Sequence, residues 1–337
     1  MTMYAAYDDG LRIIYPADER VVTRLADHRI ECLAIDERTP KRVLAGTWDG
    51  LFRSTDGGET FERVATDTLT PEAGVDGVTA LAVSPDDPET VLVGTEPSRI
   101  YCSTDGGRHV RRVDGLQTVP STEEWSFPPR PDTHHVRWIE ACPADPDRWY
   151  VGIEAGALVV TPDAGTTWID RPPGSKRDTH TIATHSDAPD RVYVAAGDGY
   201  AESNDRGVSF ATPEAGLGHR YVWGLAVDPG DPDRVLVSAA SGAAAAHRRG
   251  EAYLYRKTAF ETVQSPSDDA GAWKRIDGPE IPTGDGTYRA VLTAGTAPGE
   301  IWALTDRGLY RTTDAGARFT RVSVDLPARP ARALATG

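Results

Sequence analysis

The sequence predicts an all-β protein: a β-propeller of seven four-stranded antiparallel blades, formed as one domain over residues 1–337. Three observations predict it. An octapeptide turn recurs along the chain, a strand–turn–strand unit recurs upstream of that turn, and the two termini carry complementary strands of one further blade.

The turn is Ser54-Thr55-Asp56-Gly57-Gly58-Glu59-Thr60-Phe61. It returns at 103–107, 161–168, 203–210 and 312–319, with a copy at 267–273 that is one residue short. Its chemistry is that of a tight hairpin. An Asp carboxylate accepts hydrogen bonds from turn amides, Gly permits positive φ, and the closing aromatic fills the space between neighbouring sheets.

The upstream unit runs from Leu81 to Gly94: Leu-Ala-Val-Ser, a Pro/Asp turn, then Val91-Leu92-Val93. It matches 225–237, and 33–36 followed by 40–46. Each copy reads as two β-branched strands separated by turn residues. With the hairpin around the octapeptide, every repeat supplies four short strands, A to D from the inside out.

Six turns imply six blades, which is the alternative count. The termini argue for a seventh. Arg332–Thr336 reads as a strand A, and Met3–Tyr7, Leu11–Tyr15 and Arg20–Arg24 read as strands B, C and D. A blade assembled from both ends closes the ring and leaves no exposed sheet edge, the main hazard of an all-β chain.

Composition narrows the function classes. A hydrophobic content of 39% supports a continuous core. A net charge of −15 argues against nucleic acid and anionic membranes as partners. Lysine is found only at positions 41, 176, 257 and 274, against 51 acidic residues. That balance fits a carboxylate-solvated surface in a salt-rich cytoplasm; a GC-rich genome is the plainer source of the Arg-for-Lys bias. No apolar run reaches membrane-spanning length and the first residues lack the regions of a signal peptide, so a cytoplasmic location is expected. Cys32, Cys102 and Cys142 have no paired or metal-ligand spacing and are expected to be free thiols.

The turns at 54–61 and 161–168 resemble the Asp-box, or BNR, repeat of sialidases, sortilin-type receptors and photosystem assembly factors of the Ycf48 type. The resemblance covers nearly the whole chain and implies fold more than function. It places the box at the rim, away from any ligand, and so implies a structural role for Asp56, Asp105, Asp163, Asp205, Asp269 and Asp314. A sialidase would need an Arg-Ile-Pro-type motif, and Leu11-Arg12-Ile13-Ile14-Tyr15-Pro16 departs from it. Metal-binding His-Glu-x-x-His, a nucleophile elbow and a phosphate loop are all absent from the sequence.

What remains is the central channel. Reading the residue two places before the Leu81 column around the ring gives Glu31, Thr79, Arg137, His180, Trp223, Arg289 and Arg332. Adjoining linkers and B–C loops add His134, His135, His219, Tyr221 and Trp48. An inner strand that only packed would show small apolar residues here. Two readings follow. Arg137, Arg289 and Arg332, with Trp223, His180, His134, His219, Tyr221 and Trp48, form a pocket for an anion; or these side chains plug a wet channel and pair among themselves, Arg137 with Glu154 for instance. A His-carboxylate metal site is a minor variant of the first reading; no metal ligand is assigned and no cofactor is expected. The insertions at 114–133 and 241–250 should project from the same face as a lid or docking edge, or as ordinary loop variation.

The leading expectation is a non-catalytic binding propeller whose channel mouth engages a protein partner or a small carboxylate-bearing ligand. The alternative is a glycoside hydrolase or lyase acting on an acidic sugar-like substrate, with His180, His135 or Glu31 as candidate catalytic groups.

Overall fold

The structure is a computed structural model that describes residues 1–257 and 273–337. Seven antiparallel sheets follow one another around a closed ring, and the inner strand of each touches the inner strands of its two neighbours. Blade 1 comprises Ile30–Ile35, Val43–Thr47, Gly50–Ser54 and Glu62–Val64. Blades 2 to 6 begin at Gly77, Val136, Thr179, Tyr221 and Val291. Blade 7 takes its inner strand, Ala333–Thr336, from the C-terminus and its other three from residues 3–24, with Tyr4 opposite Ala335 and Ala5 opposite Leu334.

Two blades vary the pattern. The outer strand of blade 4 is reduced to a bridge between Glu202 and Ala211. Blade 5 carries an extra strand, Gly284–Asp285, against its third strand.

Burial explains why these sequences form blades. Strand B of blade 1, Val43–Thr47, is buried throughout, whereas strand D, Glu62–Val64, is largely exposed. The apolar clusters lie between adjacent blades: Trp302 and Leu304 of blade 6 pack on Met3 and Ile14 of blade 7. A small residue on strand B makes room where the next inner strand passes. At Gly152, a Cβ would lie 2.6 Å from Thr179 Cγ2.

The octapeptides are the C–D turns. In each of the five described copies a Ser or Thr hydroxyl accepts the amide four residues on at 2.8–2.9 Å, and the Asp carboxylate accepts the amide four residues on at 2.7–3.0 Å. Hydrogen bonds from Thr60 hold the Asp56 carboxyl well below the usual carboxylate range. The turn demands positive φ even where Gly is absent, as at Ala164, Arg206 and Ala315. Asp269, in the shortened copy, lies outside the described residues. The three cysteines are free, with Cys32 and Cys142 buried. No helix among the described residues is long and apolar enough to cross a membrane.

Candidate functional site

The channel mouth is set by a defect in the inner strands that recurs around the ring. In blades 1 to 5 the pairing of strand A with strand B skips one residue: Glu31, Thr79, Arg137, His180 and Trp223 in turn. A β-bulge leaves its extra residue out of the ladder and re-aims its side chain. Arg289 and Arg332 precede the inner strands of blades 6 and 7 at the matching place. The seven positions singled out by sequence are therefore one structural column.

This column opens into a cavity of about 720 Å³, the size of a small-molecule site. Its wall holds Arg29, Arg130, Arg137, Arg248, Arg289 and Arg332 against four carboxylates, Glu31, Glu96, Glu154 and Asp178. In a chain of net charge −15, that local excess of arginine runs against the whole.

Most of the arginines are matched. Arg332 reaches Glu31 at 2.7 Å and Asp8 at 2.5 Å, and Arg29 reaches Glu31 at 2.6 Å. Trp48 Nε1 also donates to Glu31, so both of its carboxylate oxygens are engaged. Arg130, at the tip of the 114–133 insertion, donates to both oxygens of the buried Glu96. Arg137 Nε lies 3.6 Å from Glu154.

Arg289 differs. It is 7% exposed and has no carboxylate within 4.0 Å among the described residues. Its guanidinium lies 4.1 Å from the Trp223 ring centroid, with Arg137 at 4.9 Å from the same ring. Nε donates to His247 Nδ1 at 3.1 Å and Nη1 to the Ala331 carbonyl at 2.9 Å. Burial, then the charges of Arg137 and Arg332, pull its pKa down to about 9. Because His247 Nδ1 accepts from Arg289, its Nε2 carries the hydrogen and donates to Tyr221 Oη at 2.8 Å. Burial and the Arg289 charge press the His247 pKa down to about 3, keeping the ring neutral.

The histidines divide by position. His135 is on the wall, with Nε2 2.9 Å from Glu154 Oε2 and Phe127 edge-on at 4.7 Å. His180 is fully buried behind the wall, its Nδ1 2.7 Å from the Val222 carbonyl. Burial opposes the charge of Glu154, but the His135 hydrogen bond and neighbouring positive charges hold its carboxyl well below the usual range. His134 and His219, expected among the ligand-binding residues, lie off the cavity wall. His134 stands edge-on to Trp125, and His219 stacks on Tyr253 at 4.1 Å. They fall in linkers, and their side chains turn off the channel wall, His134 to the 114–133 insertion and His219 to the third strand of its own blade.

Among the wall residues that sequence reasoning leaves unassigned are Asp178, His247 and Arg130. A signal exists for Asp178. It sits two residues before His180, as Arg29, His135 and Tyr221 sit two before Glu31, Arg137 and Trp223, and all four line the cavity. Alternation along an extended chain carries the next side chain to the same side. His247 and Arg130 sit in the insertions at 241–250 and 114–133, whose course no repeat predicts. The first half of the 114–133 insertion packs into the core through Leu116, Val119 and Trp125; only its tip reaches the mouth.

No protein-family model and no curated protein matches the chain. Solved structures do. A GH74 enzyme from Niastella koreensis has a TM-score of 0.70 over 96% of this chain, at 16% identity. The GH74 xyloglucanase from Xanthomonas campestris has a TM-score of 0.63 over 87%, also at 16% identity. A structure described as YCF48 bound to D1 peptide has a TM-score of 0.59 over 87% of this chain and 83% of its own, at 14% identity. The chain spans only 52% and 45% of the two GH74 structures. The likeness is one of fold: a β-propeller that elsewhere serves both enzymes and a peptide-binding protein.

Proposed function

We propose that this propeller binds a small anionic ligand, carboxylate-bearing and ring-shaped, in the channel-mouth cavity. The observation that carries the reading is Arg289: a nearly buried guanidinium on the cavity wall with no carboxylate partner among the described residues. A buried charge is costly unless it is paired, and a ligand carboxylate is the partner this wall lacks. Trp223, already faced by two guanidinium groups, offers an apolar surface for the ring. Tyr221, His247 and Thr79 supply neutral hydrogen-bonding groups around it. The cavity volume of about 720 Å³ favours a small molecule over a protein surface.

The alternative, a hydrolase or lyase acting on an acidic sugar-like substrate, would use the same cavity. Of its candidate groups, His135 and Glu31 line the wall and His180 does not. The experiment is a thermal-shift series with D-glucuronate and D-galacturonate beside neutral glucose and galactose. The binding reading expects the acids to raise the unfolding midpoint and the neutral sugars to leave it unchanged. Equal shifts from both would overturn it. Release of a reducing end or an unsaturated product from a glucuronide-containing oligosaccharide would favour the enzyme.

A further inference from the structure

We infer that Glu154, Asp178 and His180 form a divalent-metal site of the zinc type at the edge of the channel-mouth cavity. The inference is independent of which anion the cavity takes.

The ring of His180 is the innermost of the three groups. Its Nδ1 lies 2.7 Å from the Val222 carbonyl, which can only accept, so Nδ1 carries the hydrogen and Nε2 holds a lone pair. The ring is 0% exposed, and Nε2 has no hydrogen-bond partner. It faces Asp178 Oδ1 at 3.7 Å, too far for a hydrogen bond. A Glu154 carboxylate oxygen completes the group, with the three ligand atoms all within 4.8 Å of one another. Three lone-pair donors thus converge on one point, one of them completely enclosed.

The spacing suits a metal. Zinc bonds of about 2.0–2.2 Å put tetrahedral ligands roughly 3.4 Å apart. The His180–Asp178 pair at 3.7 Å is close to that already, and the widest pair, within 4.8 Å, has to draw in by up to about 1.4 Å. The surroundings suit one too. Metal-binding groups are usually held by a second ring of hydrogen bonds. Here the Val222 carbonyl fixes the tautomer of His180, His135 Nε2 donates to Glu154 at 2.9 Å, and the Ala155 amide donates to Asp178 Oδ1 at 2.8 Å. Arg137 offsets part of the negative charge at 3.6 Å from Glu154, while Asp198, which accepts the Asp178 amide at 3.2 Å, restores some of it.

The protein supplies its ligands from one side. Glu154 and Asp178 line the cavity and His180 backs them, so the remaining coordination positions face the cavity. Three protein ligands with an open position is the arrangement of zinc sites that bind water or a substrate. The imidazole favours zinc or another later transition metal over calcium, magnesium or manganese.

The test uses the whole chain, stripped with a chelator and titrated calorimetrically with Zn²⁺ and Co²⁺ in excess Ca²⁺, which occupies surface carboxylates. One equivalent should bind, and Co²⁺ should show the visible absorption of a four- or five-coordinate site. Asp178→Asn, on the cavity wall, should abolish that equivalent while the circular dichroism melt stays that of a folded chain. His135→Gln, which removes a supporting hydrogen bond but no ligand, should weaken binding about 10- to 100-fold. If His180→Ala does not fold, Asp178→Asn and Glu154→Gln decide alone. No binding of either ion in excess Ca²⁺, or the same stoichiometry and affinity in both of those variants, would overturn the inference.

Discussion

The rim and the channel mouth of this propeller are made by the same repeat and treat it in opposite ways. At the rim, five turns place the same two side chains on the same two amides, with hydrogen bonds that agree within a few tenths of an ångström. At the mouth, the equivalent position of each repeat carries Glu31, Thr79, Arg137, His180, Trp223, Arg289 or Arg332. The backbone device is shared, a bulge in five of the inner strands, but the side chains it aims into the channel are not. Where a repeat holds its residues constant, each copy meets one local need. Where it varies them at one fixed position, the proposed reading is that they act together on a ligand placed between them.

Three substitutions can break or sharpen that contrast. The largest effect is expected at the mouth, on binding. Arg289→Gln removes the unpaired guanidinium, and losing a buried charged contact to a ligand costs about 2–5 kcal/mol, or roughly 30-fold or more in affinity for D-glucuronate. Stability should hold or rise, since an uncompensated buried charge is removed. Titration calorimetry and a thermal melt of the same sample measure both.

Next comes the rim. Ser54 is 2% exposed and accepts the buried Gly58 amide at 2.8 Å. Ser54→Ala strands that amide and should cost about 1–3 kcal/mol in denaturant unfolding. Ligand affinity should not change.

The third effect is confined to acid. The unfolded chain protonates a histidine near pH 6.5, whereas folded His247 resists until about 3, because burial and the charges of Arg289 and Arg137 outweigh Glu154. Acid therefore favours unfolding across that interval, and this contribution to stability is lost as pH falls through it. His247→Gln should flatten the slope of stability against pH between 6.5 and 4. The rim aspartates, held below the usual carboxylate range, should keep contributing until the pH is lower still.

Much of this was legible in the sequence, and for the same reason that the two regions differ. The box turns repeat, so Asp56 and its counterparts expose the blade count, and Ala333–Thr336 pairing with Met3–Tyr7 bears out the seventh blade. The mouth column was found by aligning repeats, and it coincides with bulges that no residue type announces. Pairing was not legible. Glu31 looks like a catalytic candidate in sequence, but hydrogen bonds from Trp48 and Arg332 and an ion pair with Arg29 occupy it. Arg289 looks like two other arginines, and only geometry separates it from them. His247 and Arg130 come from insertions, where repetition gives no register. His134 and His219 have the right residue type in the right linkers, yet they turn to Trp125 and Tyr253.

The central claim is that the rim holds the fold and the mouth holds the function. It is tested most directly by measuring unfolding midpoints of wild type, Ser54→Ala and Arg289→Gln with and without saturating D-glucuronate. The account predicts that Ser54→Ala melts lower and keeps the full ligand-induced shift, while Arg289→Gln melts at or above wild type and loses the shift. A ligand-induced shift that survives in Arg289→Gln, or that disappears in Ser54→Ala, would contradict it.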